Sequence, residues 1–142
     1  MVDFSKIDRF TQGYIEALFF TEEASGVTTE EWQATDEHDE GSIPGDVGIE
    51  DIDDASFAEI LKDCKDFQET YDLALQEAYA VEGDRTYDPE RAGYDFWLTR
   101  NRHGVGFWDR GLGAVGDVLT TAANACGSVD VYLGDDGKVY LG

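Results

Sequence analysis

Within the most acidic half of the chain, nine apolar residues recur at the spacing of an α-helix. Phe57, Ile60, Leu61, Cys64, Phe67, Tyr71, Ala74, Leu75 and Ala78 trace one stripe, while Glu59, Asp63, Asp66, Glu69, Asp72 and Glu77 occupy the other face. Ser56 and Glu59 supply a capping box at its start, and Gly83 stops it just past Val81. The pattern predicts a long helix over 56–81, laid on a core by its apolar stripe with its carboxylates in water.

The charge is as unevenly spread as the apolar residues are regular. Residues 21–90 hold 23 Asp and Glu against three basic residues (Lys62, Lys65 and Arg85), a net of −20 out of −22 for all 142 residues. A field so strong and one-sided repels nucleic acid and anionic membrane and attracts basic protein surfaces. The expected partner is therefore a basic protein surface, with no direct nucleic-acid or membrane binding. Apolar residues make up 42% and aromatics 13% of the chain, enough to build a core, so acidity alone does not imply disorder. The length predicts a single domain over 1–142. No apolar run approaches the roughly 18 residues that a membrane span needs. The start, Met1-Val2-Asp3-Phe4-Ser5-Lys6, lacks the basic-then-apolar pattern of a signal peptide, which predicts a cytosolic location. Cys64 and Cys126 lie far apart, each in a predicted helix, and read as reduced, partly buried thiols.

Before the long helix, Ser5 opens a first one, with Asp8 as its reciprocal cap and Phe4, Ile7, Phe10, Tyr14, Leu18 and Phe19 at helical spacing. A long acidic loop follows at about 21–48. It is rich in glycine, with a short helical turn at Thr28 to Trp32 and with Trp32 and Ile43 as its anchors. After Pro89 the character changes. Tyr94 to Arg100 reads as a strand, Asn101 to Gly104 as a turn and Val105 to Arg110 as the returning strand. A short helix around Val115 to Ala125 follows. A second hairpin then alternates Val129, Val131 and Leu133, turns at Gly134-Asp135-Asp136-Gly137 and returns through Lys138 to Leu141. The expected fold class is α+β: two N-terminal helices, then a small antiparallel sheet of about four strands in two hairpins, with one intervening helix.

Chemical signatures are sparse. Gly111-Leu112-Gly113-Ala114-Val115-Gly116 has the G-x-G-x-x-G form, and Asp130 lies where a ribose-binding acid would stand. The preceding Phe107-Trp108-Asp109-Arg110 is not the continuous apolar run of a buried parallel strand, and too little chain follows for a second half-site. The glycines therefore read as a flexible connection and no dinucleotide is expected. Asp36 to Gly41 lacks the alternate-position ligands of a calcium loop and would have Val47 at its twelfth position, and Asp51 to Asp54 has no glycine turn. His38 and His103 are isolated and no C-x-x-C exists, so zinc is not expected either. No cofactor, metal or catalytic residue is assigned. One constellation stands out in the expected hairpin: His103 among Asp95, Asp109, Arg100, Arg102 and Arg110, interleaved with Tyr94, Phe96, Trp97, Phe107 and Trp108. Alternate residues of a strand pair share a face, so His103 could meet an acid as general acid–base chemistry requires.

The run from Ala92 to Arg110 resembles a widespread family of short, uncharacterised proteins encoded by tailed phages, prophages and plasmids. Leu119-Thr120, the tail from Val131 to Tyr140 and Phe10 to Leu18 resemble the same family. The resemblance implies a mobile element acting in a bacterial cytosol. It carries no assigned activity and no functional residue.

Three readings of function follow. In the first, a small acidic, non-enzymatic protein engages a basic host or defence protein through Glu59, Asp63, Asp66, Glu69, Asp72 and Glu77, as a DNA mimic or inhibitor. A helix over 56–81 would run about 39 Å, close to one turn of duplex at roughly 34–36 Å, although Lys62 and Lys65 interrupt its acid stripe. In the second, the aromatic hairpin 94–110 is the contact surface, through Arg100, Arg102, His103, Trp108 and Arg110. In the third, the chain is an enzyme using His103.

Overall fold

Two helices meet backbone to backbone at the centre of the molecule. Helix α1 (Arg9–Glu22) and helix α4 (Pro89–Arg100) cross at Gly13 and Gly93. A Cβ on Gly13 would lie 1.8 Å from the carbonyl oxygen of Glu90, and one on Gly93 would lie 1.7 Å from that of Phe10. Only glycine permits that approach. In the computed structural model of the chain, the residues described are 7–24, 43–81 and 87–142, together with Thr28 and Glu30.

Around this crossing the other elements follow in order. Strand β1 (Glu23–Ala24) and strand β2 (Ile43–Pro44) form a short parallel pair. A 3₁₀ turn at Ile49–Asp51 leads into helix α2 (Asp54–Thr70), and helix α3 (Asp72–Tyr79) follows directly. After α4 comes a loop with a 3₁₀ turn at Phe107–Asp109, then helix α5 (Ala114–Ala125). Strands β3 (Val131–Leu133) and β4 (Val139–Leu141) close the chain as an antiparallel hairpin. The core is aromatic. Phe67 of α2 stacks on Phe96 of α4 at 4.1 Å, Tyr14 of α1 meets Trp97 edge-on at 5.2 Å, and Phe107 lies nearly parallel to Phe67 at 6.1 Å.

The fold is mostly helical, which corrects the expected four-stranded sheet. The C-terminal hairpin and the helix after the glycines form where the sequence placed them. The first hairpin does not: 94–100 lies within α4, and 105–110 is loop and 3₁₀ turn. The residues of α4 are aromatic and β-prone, yet all but Tyr94 are buried from Ala92 to Arg100. A helix covered on nearly every side shows no stripe to read. Its start is marked plainly, by Asp88 accepting from the Arg91 amide at 2.9 Å and by Pro89 in the first turn.

Two helix starts shift as well. Asp8 itself caps α1, accepting from the Thr11 amide at 2.8 Å, while Ser5 lies outside the described residues. Asp53 caps α2, and the Ser56 hydroxyl instead accepts the Leu141 amide at 3.0 Å, docking the hairpin on the helix. The long helix over 56–81 is interrupted at Tyr71, which leaves helical dihedrals (φ −112°, ψ 27°) and packs its ring on Phe67 at 5.0 Å. No glycine or proline signals that break. Instead of two partly buried thiols, Cys64 is fully buried and Cys126 is exposed at the end of α5, and both are free. Most of the acidic loop, including Trp32, His38 and Asp36 to Gly41, lies outside the described residues.

Candidate functional site

A groove runs between α2 and α5. Two adjoining clefts of about 380 Å³ and 450 Å³ share Tyr71, Ala122 and Ala125, so they form one continuous depression. Its existence follows from residue size: on the α5 wall, Ala122 and Ala125 present nothing larger than a methyl group. Phe67, Phe96 and Tyr71 make the floor apolar, and Val118 stands half exposed at one end. Carboxylates line its margins, Asp63 and Asp66 from α2 and Asp117 from α5. A trough with an apolar floor and anionic margins fits a segment that is apolar on one side and basic at its edges.

Arg100 secures this groove from beneath. Its side chain is 5% exposed, yet its donors are well used. Nη1 donates to Asp63 Oδ2 at 2.9 Å and to the Tyr14 hydroxyl at 3.1 Å; Nε donates to the Gly127 carbonyl at 2.8 Å and Nη2 to the Cys126 carbonyl at 3.2 Å. The guanidinium also lies 5.2 Å from the centre of the Phe96 ring. Burial pulls its pKa down, but Tyr14 and Asp63 more than offset that, so the group is held firmly protonated. Burial pushes the Tyr14 phenol far up in turn.

The six acids expected to bind a partner do not act as one free stripe. Asp63 is committed to Arg100. Asp66 accepts from Lys62 at 2.9 Å and Glu69 faces Lys65 at 3.9 Å, both as exposed pairs one turn apart. The hydrogen bond to Asp66 raises the Lys62 pKa. Such pairs are weakly held, so an incoming cation can replace either lysine. Asp72 accepts from Gln76 at 3.5 Å, and Glu59 and Glu77 are exposed. The interruption at Tyr71 leaves α2 with 17 residues, about 25 Å, short of a duplex turn. Sequence reasoning missed Asp117 and the alanine wall; the small residues of α5 were a signal in plain view.

The 94–110 residues are dispersed, apart from Asp95 and Arg110, which meet. Asp95 is buried on α4 and receives a forked pair from Arg110: Nη2 to Oδ1 at 2.8 Å, and Nε to Oδ1 and Oδ2 at 3.1 Å each. The Tyr87 hydroxyl donates to Asp95 Oδ2 at 2.7 Å. His103 instead sits on an exposed turn past the end of α4, after Arg102 with φ 57°. Asp109 accepts from the Gly106 amide at 3.3 Å. The constellation that a strand pair would have assembled is therefore taken apart by the helix. Trp97 is fully buried and bonds Thr21, while Trp108 is 43% exposed.

The glycine motif has no strand before it. Gly111 and Gly113 adopt left-handed φ of 70° and 66° and simply turn the chain into α5. Among the described residues no group of three or more His, Cys, Asp or Glu could hold a metal ion, and no helix is long and apolar enough to cross a membrane. No family model matches the chain, and no curated protein or solved structure does.

Proposed function

We propose that the chain is a small acidic binding protein whose groove between α2 and α5 takes a basic, partly apolar segment of a protein partner. The observation that carries this reading is the apolar floor of Phe67, Phe96 and Tyr71 between the carboxylates of Asp66 and Asp117, on a chain of net charge −22. The long-range field steers a basic partner inward, and the apolar floor holds it. This narrows the mimic reading: the short α2 and its internal ion pairs favour a groove over a phosphate-like stripe. The partner class expected from the acidic charge, in the bacterial cytosol that the phage-family resemblance implies, is a basic host or defence protein.

The test is a library of helical peptides varied independently in basic and apolar content, titrated at low and moderate salt. The expected winners are basic and amphipathic, and their affinity falls steeply with salt. Ala125→Leu fills the groove without changing charge and should weaken binding by about tenfold or more, the loss expected when an anchor is excluded from its pocket. Unchanged binding in that variant overturns the groove reading. The exposed Trp108 and Val105, beside Arg102 and His103, favour a second contact surface on the 101–110 loop. Trp108→Ala separates the two: it spares groove binding and abolishes loop binding.

A further inference from the structure

The C-terminal hairpin has two faces, and only one of them is needed to hold it in place. Val131 and Val139 are buried. Leu141 donates its amide to Ser56, and the Val139 carbonyl accepts the Asp53 amide at 2.9 Å. These contacts anchor the hairpin to the start of α2. The opposite face carries Tyr132 and Tyr140, directly paired across the strands, with rings 5.5 Å apart and planes within 12°. Tyr132 is 51% exposed, so this stack is not there to fill the core.

The surroundings of the stack are anionic and fixed. The Tyr140 hydroxyl donates to Asp136 Oδ2 at 2.5 Å, and Asp136 Oδ1 takes the Lys138 amide at 3.0 Å. The hydrogen bond from Tyr140 holds the Asp136 carboxyl below its usual value and lifts the phenol to about 12. Asp53 is brought alongside by its backbone bond to Val139. Gly134 makes room for the Tyr140 ring, since a Cβ there would lie 2.5 Å from a ring carbon. The register sets Lys138 opposite Gly134, on the same face as both rings.

We propose that this face is a docking platform for an arginine side chain of a basic protein partner, the guanidinium lying on the Tyr132 ring with Asp136 and Asp53 as its counter-charges. A guanidinium suits the place better than an ammonium. It is planar, stacks on aromatic faces and is weakly hydrated, and its fork of donors fits a carboxylate. Lys138, on the same face, presents a like charge to the incoming arginine. The platform and the groove sit toward opposite ends of α2, so one basic partner can reach both, yet neither requires the other.

The test follows the ring resonances of Tyr132 and Tyr140 by NMR during titration with N-acetyl-arginine amide. The same titration is repeated with the lysine and citrulline equivalents at matched ionic strength. Saturable ring shifts with arginine, weaker shifts with lysine and none with citrulline are expected. Tyr132→Ala, an exposed position whose loss leaves the fold intact, should weaken arginine binding about two- to fivefold, the size of an exposed cation–π contact. Gly134→Ala, whose Cβ would press on both the Tyr140 ring and the Asp136 carboxylate, should weaken it too. Lys138→Gln should tighten it. Equal effects of arginine and lysine, or arginine affinity unchanged in Tyr132→Ala, would overturn the proposal. Either result leaves the groove reading standing, because its peptide titration is read through Ala125→Leu.

Discussion

Asp95 shows how much one residue can decide. It is 1% exposed and carries its charge in the interior, which is tolerable only because Arg110 and Tyr87 supply donors to both of its oxygens. Arg110→Met should therefore cost roughly 3–5 kcal/mol in chemical denaturation, because it strands a buried carboxylate. A loss below about 1 kcal/mol would mean that the pair behaves as a surface bridge. Two other carboxyls give stability opposite dependences on pH. The Arg91 amide and Arg9 hold Asp88 below its ordinary 3.8, so its contribution is complete above that value and disappears as pH falls through and below it. Burial and neighbouring Glu90 hold Glu16 above its ordinary 4.5, so its proton is kept better by the folded chain and stability declines as pH rises past that value. In unfolding curves taken across acid pH, Asp88→Asn should flatten the low-pH loss and Glu16→Gln the decline above 4.5. None of these partners was legible from the sequence. Asp95 and Arg110 stood in one constellation, but the sequence could not say that they face each other across a helix and a loop.

At the scale of elements, what could be read followed from amphipathicity. The apolar stripe from Phe57 to Phe67 and the helix after Gly113 were visible because each has a wet side and a dry side. Helix α4 was misread because it has almost no wet side, and its aromatic residues favour strands when read alone. Its true signals were Asp88 and Pro89 at the start and Gly93 within. That glycine is the point where α4 touches α1. Gly93→Ala should force the helices apart and cost at or beyond the upper end of the roughly 1–3 kcal/mol range of overpacking. Thermal unfolding measures it, and a neutral result would mean that the crossing yields by sliding. Trp97→Ala should cost about 3–5 kcal/mol, since that ring is fully buried against Tyr14.

At the scale of the molecule, like charges dominate. The ten basic residues, paired or not, leave the 32 acids a net of −22 that no internal ion pair can reduce. Self-repulsion should make the fold salt-loving: its thermal midpoint rises as ionic strength goes from about 20 mM to about 500 mM, where the screening length drops to a few ångströms. A falling midpoint would show that attractive pairs outweigh the excess. The charge asymmetry was legible at once, while the groove was not, since it depends on how α5 lies beside α2. Arg100 then has a consequence for how the molecule opens. One guanidinium joins Tyr14 of α1, Asp63 of α2 and the carbonyls that follow α5. The end of a helix is ordinarily the first place where amides exchange with solvent, by fraying one turn at a time. Here the last turn of α5 cannot loosen without freeing a buried charge, so its amides should exchange only together with those of α1 and α2, as one cooperative unit. Arg100→Lys, with a single point of attachment, should uncouple them and let α5 exchange first.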